Sequence, residues 1–175
     1  FLIADGSENL VEYMKGISKI EKIPSIFESQ LIEKLKIYYY VGGMPEVVYS
    51  WINEKDIERV NKIQENILLS YEEDFSKHID AAEANKVSLI WNGIPSQLAR
   101  ENKKFVYQVV KDGARAREYE SALNWLNDAN LICKCYSVNK CAFPLKAYTD
   151  LSSFKIYMND VGLLRKMANL DSSII

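Results

Sequence analysis

A single histidine, His78, serves the whole chain of 175 residues. Acyl-transfer triads need an imidazole beside a serine or cysteine nucleophile, and no G-x-S-x-G elbow accompanies this one. Only three cysteines occur, Cys133, Cys135 and Cys141. An odd number without a secretion signal argues against a disulfide framework, and the spacing does not supply the four ligands of a structural zinc site. On a strand Cys133 and Cys135 share a face, and the thiols are expected to be buried or half-buried, with no metal. Four prolines and seven glycines leave no stretch that reads as disordered. No apolar run approaches the roughly 20 residues of a membrane span, and no leader pattern opens the chain. The expectation is a cytoplasmic protein with no membrane contact.

Phosphate-binding loops are missing as well. Neither G-x-x-x-x-G-K-[ST] nor G-x-G-x-x-G after a strand is present, so no backbone cradle for a triphosphate exists here. The acidic run Glu72-Glu73-Asp74 is consecutive, so its carboxylates spread around a helix and read as a solvated face. These absences predict that the chain by itself catalyses nothing and holds no cofactor.

What is present is an ordinary globular composition with an uneven charge. Residues 1–85 carry nine Lys/Arg against sixteen Asp/Glu, a net of −7; residues 86–175 carry thirteen against eight, a net of +5. An acidic first half and a basic second half suit docking on one side and an anionic partner on the other. The chain opens on Phe1-Leu2-Ile3 without Met and ends on Ile174-Ile175, the pattern expected of a piece whose ends pack against missing neighbours.

Hydrophobic periodicity predicts a mainly α chain with some β structure. Ser7 caps a first helix to Ser18, with Leu10, Val11, Met14 and Ile17 inward. Pro24-Ser25 opens a second, to about Val41, with a stripe of Ile26, Phe27, Leu31, Leu35, Tyr38 and Tyr39. Gly42-Gly43-Met44-Pro45 stops it. A third covers Glu46–Glu54 and buries Val47, Val48, Trp51 and Ile52. Asp56 caps a long fourth helix that reaches Ile79 with apolar positions every three or four residues. Residues 80–85 read as a linker between a lobe at 1–79 and a domain at 86–175. Lys86–Glu101 is helical with an interruption at Gly93-Ile94-Pro95, and Lys103–Val110 is a short strand or extended connector. Ala114–Asn130 is the most two-faced helix, with Tyr119, Ala122, Leu123, Leu126 and Ala129 on one side, and Asn130 is its left-handed stop. Ile132–Val138 is a strand, followed by two more at Leu145–Thr149 and Phe154–Met158. Asp160 caps a last helix, Val161–Ala168.

A two-faced helix that runs into a strand, with basic residues at its start, is the pattern of the second helix and wing of a winged helix. Arg100, Lys103, Lys104, Lys111, Arg115 and Arg117 gather before and at the start of that helix, and Ser121 and Asn124 follow on its polar side. These eight are the candidate contacts to DNA or to a protein partner. Tyr107 is a candidate for stacking; Tyr119 reads as core. Glu118 and Glu120 weaken the positive potential of the same face, which tilts the expectation toward a protein.

The run IPSQLARENKKFVYQVVKDGARAREYESALNWLNDANLI, preceded by VGGMPEVV and YEEDFSKHI and followed by LKAYTDLSSFKIYMNDVGLL, resembles the C-terminal part of predicted bacterial and archaeal AAA+-superfamily ATPases. The similarity covers nearly the whole chain in order and spacing. It implies a helical lid bundle followed by a winged-helix-like domain with two or three short antiparallel strands. It also implies a P-loop ATPase core upstream, using ATP and Mg, and a nuclease-like αβ region downstream. Gly43-Met44-Pro45 is similar to the G-x-P element of such lids, which makes Pro45 the implied adenine contact and Gly43 the point of close backbone approach, in the intact parent only. The implied function is coupling of nucleotide state to a bound partner, with the upstream ATPase domain as one partner. The alternatives are a stand-alone DNA-binding regulator and a protein-interaction adaptor.

Overall fold

The computed structural model describes residues 1–20, 22–100, 102 and 104–171; Lys103, Ile174 and Ile175 lie outside them. The chain is mostly helical with a small two-stranded antiparallel sheet, an α+β fold with a helical bundle. The helices are α1 (Glu8–Gly16), α2 (Ser25–Val41), α3 (Pro45–Glu54), α4 (Ile57–His78), α5 (Ala81–Leu98), α6 (Tyr107–Val110), α7 (Ala116–Asp128) and α8 (Val161–Met167); the strands are β1 (Ile132–Val138) and β2 (Thr149–Met158). Two compact units result. One is Phe1–Leu68 together with the chain from Asp160 onward; the other is Leu69–Asn159. The division therefore falls within α4 rather than at 80–85, and the chain re-enters the first unit after β2. Residues 80–85 are no linker: Asp80 caps α5, its carboxylate accepting the N–H groups of Ala82 and Glu83, which satisfies donors that a helix start leaves free.

The first unit is centred on Tyr40, Val41, Val47, Val48, Val60 and Ile63, all buried. α2 ends because Gly42 adopts φ +79°, and Pro45 starts α3, where its missing N–H costs nothing. The expected α2 stripe is only partly inward: Ile26, Leu35 and Tyr39 are exposed, and burial is confined to the C-terminal end at Tyr40 and Val41. That end packs against α3 and α8, whereas the earlier turns are only partly covered, Phe27 stacking on Tyr13 of α1 at 4.0 Å and Tyr38 lying edge-on to Phe1 at 5.5 Å. Met14 is likewise exposed. Ser7 does not cap α1 through its side chain; its hydroxyl donates to Asp5 instead.

In the second unit α5 runs unbroken through Gly93-Ile94-Pro95, where an interruption was expected. A proline inside a helix costs about 3 kcal/mol. Ile90, Trp91 and Ile94 on the same helix are fully buried, and at roughly 1.5–3 kcal/mol each their burial outweighs that cost. α5 packs on α6, α7 and β2. Phe75 fills the space between two indoles, edge-on to Trp91 at 5.8 Å and to Trp125 at 5.5 Å. From α7, Tyr119, Ala122, Leu123 and Leu126 are buried. Ala129, the last position of the expected stripe, caps the helix end and is exposed. Asn130 stops α7 with φ +56°.

β1 and β2 pair from Ile132↔Met158 to Tyr136↔Phe154, then slip so that Ser137 faces Asp150. The slip leaves residues 151–153 unpaired on β2, a bulge where two separate strands were expected. Leu145–Tyr148 is a 3₁₀ turn rather than a strand. Of the short strand or extended connector expected at Lys103–Val110, the described residues up to Val106 form a connector whose Phe105 N–H donates to the Phe154 carbonyl at 2.9 Å, and the chain then turns into α6, a helix that neither reading foresaw. The element order of the second unit is thus the end of α4, α5, α6, α7, β1 and β2.

Candidate partner-binding surface

α7 starts at Arg115, whose backbone is extended. Glu118, three residues on, reaches back to accept the Arg115 N–H at 3.2 Å, and the Arg115 carbonyl accepts the Glu118 N–H at 3.0 Å. Glu118 thus completes the helix start. Arg115 and Arg117 are exposed there, as are Arg100, Lys104 and Lys111 on the segments before. Lys104 acts electrostatically on Asp150, whose carboxyl is held below its ordinary value chiefly by hydrogen bonds from Ser152.

Ser121 and Asn124 also lie on the polar side of α7, but both are engaged within the chain. The Ser121 hydroxyl donates to Glu83 on α5. Asn124 accepts the Lys134 ammonium at 2.5 Å from β1. The Ser121 bond is the main reason that the Glu83 carboxyl titrates below its usual range, with Lys86, 3.0 Å away, adding to it. Burial pulls Lys134 down, against the charges of Glu120 and Asp128. Its ammonium also sits 5.9 Å over the Phe154 ring. On the face that was expected to read a groove, these two polar groups are therefore engaged by the chain's own side chains, and Glu120 lies beside Lys134. Tyr107 is half-buried edge-on to Phe105 at 4.9 Å, and burial pushes its phenol up. Tyr119 is core.

Beyond α7 the hairpin exposes apolar groups: Phe143 is 93% exposed, Leu151 72% and Leu145 47%. All three cysteines are exposed, which corrects the expectation of buried thiols. Cys133 and Cys135 face Tyr157 and Lys155 across the sheet. Among the described residues no group of three metal-ligating side chains converges. In the acidic run Asp74 pairs with Lys77 at 2.7 Å.

Gly43 and Pro45 lie in the first unit, both exposed. Gly43 donates its N–H to Asp160 Oδ2 at 2.6 Å. A methyl group on Gly42 would lie 2.3 Å from Asp160 Oδ1, and one on Gly162 would lie 2.5 Å from the Val41 carbonyl. The turn is thus pressed against the start of α8 at two glycines. At the other end of α8 the Arg165 guanidinium lies 3.9 Å over the Tyr40 ring. It donates to Asn61 at 2.7 Å, to Gln64, and to the Leu170 carbonyl at 3.0 Å. Gln64, fully buried, donates in turn to the carbonyls of Tyr40 and Val41, which end α2 without helical partners. Sequence reading placed Asp160 as a cap but gave no sign of its bond to Gly43, nor of the roles of Glu83, Gln64 and Arg165. Only the Glu83–Lys86 spacing was a local signal.

Among the described residues no helix is long and apolar enough to cross a membrane. No curated protein matches the chain, and no solved structure does. A family model matches residues 32–174, from within α2 past the end of α8. Because that match covers most of the chain, the protein belongs to the family described as Domain of unknown function (DUF8612).

Proposed function

We propose that the chain is a non-catalytic, cytoplasmic coupling module of a larger ATPase, in which the winged-helix unit docks an acidic protein surface through the basic start of α7. The observation that carries this reading is the engagement of Ser121 by Glu83 and of Asn124 by Lys134. Base readout needs free polar groups along the helix, and these two are occupied. Arg115 and Arg117 remain exposed at its start, where they serve carboxylates as well as phosphates. The hairpin's exposed Phe143 and Leu151 suit a protein surface. The link to an ATPase rests on the family resemblance and on the Gly43–Pro45 turn, whose upstream neighbour is the first partner to try.

The test titrates the chain with the separately expressed region upstream of it in the same gene, and with a mixed-sequence DNA duplex. Tighter binding to the upstream region is expected, weakened about tenfold by Arg115→Glu with Arg117→Glu. Tighter duplex binding that falls steeply between about 50 and 200 mM salt and is lost in the double variant favours the stand-alone DNA-binding regulator. Absence of binding to either overturns the proposal.

A further inference from the structure

The chain leaves the second unit at Asn159 and enters the first at Asp160. Asp160 is 5% exposed, and both of its oxygens accept backbone N–H groups. Oδ1 takes the Leu163 N–H at 2.9 Å and so caps α8. Oδ2 takes the Gly43 N–H at 2.6 Å and so holds the turn between α2 and α3. Gly42 and Gly162 allow this approach because neither carries a Cβ. At the far end of the helix, Arg165 is fastened to Tyr40, Asn61 and Gln64. α8 has seven residues, a rod of about 10 Å, held at one end by a guanidinium with several partners and at the other by one carboxylate. The neighbouring residue, Asn159, donates its N–H to the Leu131 carbonyl, which precedes β1.

We propose that Asp160 is a latch that makes the Gly42–Pro45 turn and the crossing out of β2 open together. A group that accepts the Gly43 N–H, or that shifts the turn, removes one of the two donors from the carboxylate. α8 then frays from its first turn while Arg165 retains its last, and the Asn159 crossing loosens with it. What would pull the latch rests on the reading of this turn as the nucleotide-facing element; the latch itself does not, and its test uses no nucleotide.

Amide exchange of the intact chain is followed by NMR in graded sub-denaturing urea. The amides of Gly43, Leu163 and Asn159 are expected to share one opening equilibrium and one urea dependence. Asp160→Asn keeps a capping oxygen but offers only one acceptor, so the Gly43 bond is lost and Gly43, Leu163 and Asn159 are expected to exchange faster together, by roughly tenfold; Leu163 staying protected while Gly43 opens overturns the proposal. Asp160→Ala is expected to release all three and to leave Leu123 and Leu126 in α7 unchanged. Different urea dependences for Gly43 and Asn159 in the wild-type chain overturn the proposal, and that measurement stands even if a variant fails to fold. Loss of ATP response in the full-length protein with an intact shared opening sinks the nucleotide reading alone.

Discussion

Gln97 offers a sharp test of how the second unit is held together. It is 1% exposed on α5, and its amide makes two hydrogen bonds with one residue: Nε2 donates to the Val106 carbonyl at 2.8 Å, and Oε1 accepts the Val106 N–H at 3.0 Å. Val106 directly follows Phe105, whose N–H bonds the Phe154 carbonyl of the hairpin. Gln97→Leu keeps the volume and leaves two backbone groups without partners, at roughly 1–3 kcal/mol each when buried. Val106 is half-buried, so water recovers part of this, and the expected loss is about 2–3 kcal/mol. Gln97→Glu adds a sign. A protonated carboxyl donates to the carbonyl and accepts from the N–H, as the amide does; the ionised form meets the carbonyl with a buried charge. The folded chain therefore raises the pKa of this introduced acid. An acid whose folded pKa is raised destabilises above that pKa, and the penalty disappears as pH falls through it. Gln97→Glu is thus expected to be weaker than wild type at neutral pH and to approach it in acid. The assay is urea unfolding by tryptophan fluorescence in a Trp51→Phe background, where Trp91 and Trp125 report the second unit alone. A Gln97→Leu loss below about 0.5 kcal/mol, within the range of an ordinary surface change, or a Gln97→Glu penalty that grows in acid, refutes the reasoning.

Gly162→Ala puts a methyl 2.5 Å from the Val41 backbone carbonyl, which cannot rotate away. A loss of about 1–3 kcal/mol in the first unit is expected, read by Trp51 fluorescence in a chain without Trp91 and Trp125. Glu83 titrates below its usual range because of Ser121 and Lys86, so its contribution is present above the unfolded pKa and lost as pH falls through the folded one. The stability gap between wild type and Glu83→Gln is accordingly expected to close in acid, measured by urea unfolding at several pH values. Ser121→Ala is expected to raise the Glu83 pKa toward its ordinary value, followed by carboxyl carbon chemical shift against pH.

The elements best read in advance were those with local punctuation. α4 and α8 begin after Asp56 and Asp160, whose carboxylates take the first N–H groups; α2 stops at a glycine with positive φ, and α7 at Asn130. α5 was read as broken because Pro95 signals a stop, and no local rule registers the burial of Ile90, Trp91 and Ile94 that overrides it. The α2 stripe was read as core because its period is helical, although only its last turn is fully buried. The candidate site shows the same limit: Arg115 and Arg117 are exposed as the helix period required, whereas the engagement of Ser121 depends on a residue 38 positions away.

By itself, then, the chain's sequence determined where most helices start and stop, and that α7 has one greasy face and leads into a strand. Such properties follow from neighbours along the backbone, where caps, glycines and side-chain period act within one or two turns. Tertiary structure alone decided that the segment after Asn159 rejoins the first unit, that Asp160 reaches Gly43 across 117 positions, and that the polar side of α7 is partly closed. Those outcomes depend on which distant groups come within hydrogen-bonding distance, and no local period or spacing encodes that.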